Sequence, residues 1–120
     1  MAKFRNVFVI INEHGVLILL KAIFNLCHAS FIKYIIRDKY ICKKIFNYKM
    51  YLDLNDPGIS RSLILFGKRE IDHKIILEKV LKPSMTVFDI GANIGYYALM
   101  ELKLIGTSGK LLAIEPSPII

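Results

Sequence analysis

The sequence predicts an α/β fold whose defining piece is a strand–glycine loop–helix–strand unit, preceded by a basic helical segment and a short strand and turn. Three observations predict it. The stretch VFDIGANIGYYAL, residues 87–99, runs β-branched and aromatic residues into an acid and two glycines four apart, the pattern of a buried strand that stops at a tight turn. Beyond it, Ile94, Tyr97, Ala98, Met100, Leu102 and Ile105 recur at helical intervals, as one apolar helix face requires. After the turn GTSG comes a second apolar run, LLAIE. Strand, helix and strand in that order form a βαβ unit, with parallel strands and a right-handed crossover. Such strands need cover on both faces.

The preceding elements follow from the same periodicities. Over residues 14–28 the polar residues His14, Lys21, Asn25 and His28 fall within one narrow stripe of a helix, and nearly everything else is apolar. From Ser30 the polar positions Ser30, Lys33 and Arg37 move to the opposite side. A break near CHAS and a second short helix are therefore expected. The wide apolar faces require cover from a partner, a lipid surface or the rest of a domain. Residues 45–54 alternate, with Phe46, Tyr48, Met50, Leu52 and Leu54 on one side, as in a half-buried strand. NDPG at 55–58 is a turn by composition, and Ile59 to Phe66 is a short helix closed by Gly67. Ile71, Ile75, Ile76, Val80 and Leu81 predict a helix over 70–81 that Pro83 ends. A strand over 85–90, a helix over 94–105 and a strand over 110–115 complete the order.

Composition narrows the class. The chain has 120 residues, 54% of them apolar, enough for one domain or part of one. No uncharged run reaches the roughly 18 residues of a membrane span, and VFVII ends at Asn12 and Glu13 without a secretory cleavage pattern. Cys27 and Cys42 lack metal-type spacing and read as reduced, buried thiols of a cytoplasmic protein. His14, His28 and His73 are scattered, so no metal site is expected. The net charge of +7 lies wholly in residues 1–50, because residues 51–120 balance. This asymmetry marks a change of organisation near residue 50. It predicts a helical extension over residues 1–44 with solvated lysines, or a peripheral contact with an anionic membrane. Lysines without interleaved aromatics predict no nucleic-acid partner.

The loop sets the ligand. Open α/β sheets bind ligands outside the carboxyl ends of their strands, and there the glycine turn aims backbone N–H groups and a helix N-terminus at the ligand. Asp89 and Glu115 both stand at strand ends. Glu115 follows Gly95 by 20 residues, a separation that suits a carboxylate reaching ribose hydroxyls. The G-x-x-x-G spacing lacks the middle glycine of a dinucleotide fingerprint, and Asp89 would repel a pyrophosphate while attracting an ammonium group. A ligand with a ribose, an α-amino group and no phosphate is S-adenosylmethionine. A nicotinamide-binding half-domain is disfavoured on the same grounds.

VFDIGANIGYYAL followed by GTSGKLLAIEPSP resembles motif I and the second-strand acidic motif of class I S-adenosylmethionine-dependent methyltransferases, and more narrowly the FkbM family. The stretches MYLDLNDPGIS, FGKRE and LKPSMTVFDIGANIGYY extend the resemblance over roughly residues 48–120. It implies the N-terminal part, residues 45–120, of a Rossmann-like methyltransferase that methylates a hydroxyl on a glycan or small molecule. By position, Asp89 would contact the methionine amino end. Gly91, Ala92, Asn93 and Gly95 would form the loop beneath the cofactor, with Tyr96 shaping the pocket and Glu115 holding the ribose. Ser84 stands where glycine is common in the family. Family members continue into further strands, so a missing C-terminal half and an inactive isolated fragment are expected. No catalytic base is identified, and His73 reads as a solvated surface residue. The alternative class is a non-catalytic membrane-surface or partner-binding protein that keeps a vestigial βαβ unit.

Overall fold

The computed structural model describes residues 15–116; VFVII, Asn12, Glu13 and His14, used above, lie outside them, as does PSP beyond Pro116. The chain forms two compact units that divide between Arg69 and Glu70.

The first unit begins with helix α1, Val16–Phe31, which passes directly into a π-helical turn, Ile32–Ile36. The expected break at CHAS is absent. One helix carries both polar sides because the stripe holding Asn25 is turned inward: Asn25 is buried, as are Ala22 and Ala29. The Asn25 amide donates to the Leu65 carbonyl at 3.0 Å and its Oδ1 accepts from Lys43 Nζ at 2.7 Å. With the π turn, Val16–Ile36 is a helix of 21 residues, long and apolar enough by composition to cross a membrane. The uncharged-run criterion missed it because Lys21 and Lys33 interrupt the run, and long lysine stems tolerate apolar surroundings.

Strands β1, Tyr40–Ile45, and β2, Tyr48–Asp53, form an antiparallel hairpin with Ile41 opposite Leu52 and Lys43 opposite Met50. Ile41, Ile45, Met50 and Leu52 are buried. β1 is absent from the sequence prediction because its inward positions are Ile41, Lys43 and Ile45. The lysine breaks the apolar alternation, and Asn25 supplies the partner that makes its inward position tolerable. Helix α2, Ile59–Phe66, has the predicted bounds. Asp56 starts it by accepting the N–H groups of Gly58 and Ser60 at 2.6 and 2.8 Å. Gly67 ends it at φ 70°, donating to the Leu63 carbonyl at 2.8 Å, a left-handed cap that glycine adopts without strain. Cys27 and Cys42 are exposed free thiols rather than buried ones, because α1 and β1 turn other positions inward.

The second unit contains helix α3, Ile71–Val80, strand β3, Thr86–Ile90, helix α4, Tyr96–Ile105, and strand β4, Lys110–Ile114. β3 and β4 are parallel, pairing Val87 with Leu111 and Asp89 with Ala113, as the βαβ prediction requires. Helix α4 packs on both strands and α3 packs on α4. The core holds Tyr96, Ala98, Met100 and Ile105, while Phe88, Ile90 and Leu112 on the opposite sheet face are exposed. Ser84 has φ 70°, a left-handed conformation that glycine adopts more readily than serine. Its hydroxyl lies 2.7 Å from that of Ser108, and its N–H donates to the Ile105 carbonyl at 2.9 Å.

Candidate functional site

The site is built at the carboxyl edge of the β3–β4 pair. Parallel pairing sets Asp89 beside Ala113, so Glu115 follows at the same edge of the sheet. The loop between β3 and α4 turns through three left-handed residues, Gly91 at φ 84°, Asn93 at φ 50° and Gly95 at φ 79°. A side chain at Gly91 or Gly95 would meet nothing within 4 Å. Backbone conformation, not crowding, therefore demands glycine, and open space lies above the loop.

The loop's N–H groups do not point outward as the sequence predicts. Gly91 and Ala92 both donate to the Ile114 carbonyl, at 2.8 and 3.1 Å. Asn93 donates to Glu115 Oε2 at 2.8 Å, Ile94 to the Asn93 side chain at 2.8 Å, and Gly95 to the Ala92 carbonyl at 2.9 Å. The consecutive amides are satisfied within the unit, so this loop is not the anion-binding nest of a phosphate site. The same bonds fasten the loop to the end of β4 and fix the Glu115 carboxylate beside Asn93.

Asp89 lies on the helix-covered face of β3. With Glu101, His73, Ile76, Leu77 and Tyr97 it lines a cavity of about 250 Å³. Its Oδ2 is buried without a hydrogen-bond partner, and so is Glu101 Oε2. Burial raises the Asp89 pKa; burial and then the nearby Asp89 charge raise that of Glu101. An unsatisfied carboxylate pair in a partly apolar cavity can accept an ammonium group. Tyr96 is 3% exposed, with its ring edge-on to Tyr97 at 5.3 Å, so it stands beneath the helix start as part of the core.

Glu101 and a polar cluster around Tyr97 were not legible in the sequence. Tyr97 Oη donates to the Glu70 carboxylate and lies 2.7 Å from His73 Nδ1. His73 Nδ1 is also 3.5 Å from Glu70 Oε2. His73 is thus exposed yet held by two neighbours, where the sequence predicts a solvated residue. The only signal available was helical spacing, which puts Glu70, His73 and Leu77 along one side of α3 but cannot show that Tyr97 meets it.

Comparison with known proteins bears on the class. No protein-family model and no solved structure matches the chain. It is similar to the ribosomal RNA large subunit methyltransferase E of Buchnera aphidicola subsp. Cinara cedri (strain Cc), 38% identical over 73 residues that cover 55% of this chain and 34% of that protein. The enzyme of the same name from Sorangium cellulosum (strain So ce56) is 38% identical over 55 residues, 46% of this chain and 24% of that one. The chain therefore spans about a third or less of the length of these curated relatives. By name they act on ribosomal RNA, which overturns the expectation of no nucleic-acid partner and of a glycan or small-molecule acceptor. The lack of lysines alternating with aromatics does not exclude RNA, because cationic groups in any arrangement can hold a phosphate backbone. The similarity supports methyltransferase as the class of this chain, without selecting the FkbM family within it.

Proposed function

We propose that the chain carries the cofactor-binding portion of an S-adenosylmethionine-dependent methyltransferase, with the β3–α4–β4 unit forming the N-terminal part of a Rossmann-like catalytic domain. The observation that supports this most is the pair of carboxylates, Asp89 and Glu115, at one edge of two adjacent parallel strands, flanking a loop whose amides are internally satisfied. Such a loop offers nothing to a pyrophosphate but leaves room for an uncharged adenosyl group. Asp89 Oδ2, buried and unpartnered, fits the α-ammonium of the methionine moiety. Glu115, fixed by Asn93, stands where ribose hydroxyls would be read. Gly91 and Gly95 keep the space above the loop clear. The cofactor supplies a methyl group on a sulfonium, and the protein's contribution is to hold it in line with the acceptor.

Within this class the loop and its flanks favour an FkbM-type module, whereas the curated relatives favour RNA as acceptor. We take RNA as the acceptor class on the strength of those relatives.

Saturation-transfer NMR on the full chain tests the cofactor reading, because it detects weak binding. Transfer to the adenosyl protons of S-adenosylmethionine is expected, with a loss of about tenfold in affinity for Glu115→Gln, in line with a removed charge-assisted hydrogen-bond pair. Equal transfer to NADH, or no difference between wild type and variant, rejects the assignment.

A further inference from the structure

We infer that the outward face of α1 docks on the surface of an anionic lipid bilayer, with the helix lying in the plane of the interface. The helix has its polarity reversed relative to an ordinary surface helix. Its buried side carries Ala22, Asn25 and Ala29, small or polar residues, and Asn25 is held there by Leu65 and Lys43. The side pointing away from the unit carries Leu17, Leu20, Phe24 and Phe31, which are 81, 56, 70 and 53% exposed. At 100° per residue these four positions fall within about 60° of one another, and Cys27, also exposed, lies about 20° beyond the edge of that arc. Ile35 extends the apolar surface through the π turn at 68% exposure. Water does not reward this arrangement, and an apolar environment does.

Charge selects the occupant. His28 and Lys21 border the apolar arc on the wheel, and Arg37 follows directly after Ile36. Between residues 15 and 50 the ionised side chains are Lys21, Lys33, Arg37, Lys39, Lys43, Lys44 and Lys49 against Asp38. An apolar helix face within a strongly cationic segment matches lipid acyl chains beneath anionic headgroups. RNA satisfies the cations but not the phenylalanines and leucines. The composition also permits a membrane span, but the bonds from Asn25 to Leu65 and Lys43 hold one side of α1 against α2 and β1. An in-plane helix keeps those bonds; a spanning helix would break them.

The native cysteines make the test direct. The full chain carrying Cys42→Ser is labelled at Cys27 with an environment-sensitive nitrobenzoxadiazole dye. Vesicles of phosphatidylcholine containing phosphatidylglycerol are expected to shift its emission to the blue with a several-fold rise in intensity. Pure phosphatidylcholine vesicles give a weaker response, and added salt diminishes the anionic one. The converse chain, Cys27→Ser labelled at Cys42, stays unchanged. In unlabelled protein, Leu20→Asp with Phe24→Asp lowers co-sedimentation by about tenfold or more, with circular dichroism confirming that the fold persists. The inference is overturned if the Cys27 dye ignores anionic vesicles, if it shifts without lipid as protein concentration rises, or if an RNA fragment shifts it in place of vesicles.

Discussion

Asp89 and Glu101 each keep a buried carboxylate oxygen without a hydrogen-bond partner, and both titrate above their ordinary ranges. Burial is the larger cause for each, and it penalises the charged form. The folded state therefore binds protons more tightly than the unfolded chain. Stability falls as pH rises from the ordinary carboxylate pKa values through the raised ones, then stays lowered at neutral pH. Glu101→Gln removes one charge and offers its amide N–H to Asp89. It is expected to raise stability at pH 7 by on the order of 1 kcal/mol and to change little under acid conditions where both carboxyls are protonated. Thermal unfolding at the two pH values measures this. An equal effect at both would show that packing, not charge, governs the site. Nothing in the sequence marked Glu101, because an acid on an amphipathic helix ordinarily reads as solvated. Asp89 was legible because it stands immediately before a glycine loop.

At the scale of elements, one asparagine links three of them. Asn25 on α1 donates to the last turn of α2 and accepts from Lys43 on β1. Lys43 titrates below its ordinary value, through burial and then the Lys21 charge, so its ammonium depends on that oxygen. Asn25→Ala leaves the ammonium and the Leu65 carbonyl without this partner and is expected to cost about 1–3 kcal/mol. Urea unfolding checks the size, and Asn25→Asp separates polarity from shape by restoring an acceptor to Lys43. The same contact explains which elements were legible. Helix α2, from Ile59 to Phe66, follows from a turn, a clear apolar face and a glycine cap, all local. Strand β1 does not, because Lys43 occupies an inward position and only a residue 18 positions away makes it tolerable.

For the whole molecule, each unit exposes apolar surface on a different element. In the second unit α4 covers one face of the β3–β4 pair, and Phe88, Ile90 and Leu112 on the other face are 64, 79 and 50% exposed. Parallel strands are ordinarily covered on both faces. The chain in solution is expected to bind an anilinonaphthalene sulfonate dye, and Phe88→Lys with Ile90→Lys lowers the emission by about half, the α1 face remaining. Unchanged emission would mean that the sheet face is shielded in solution.

Taken alone, the amino-acid order settled the βαβ unit, the place of its glycine turn and the arrival of Asp89 and Glu115 at one sheet edge. Periodicity, turn chemistry and parallel pairing are short-range properties that a linear chain displays. Tertiary structure alone decided the facing of polar groups: Asn25 inward, loop amides spent on Ile114 and Glu115, Asp89 beneath helices beside Glu101. Those partners lie up to 40 residues apart in sequence. Desolvation is settled only when folding brings the distant donor and acceptor together.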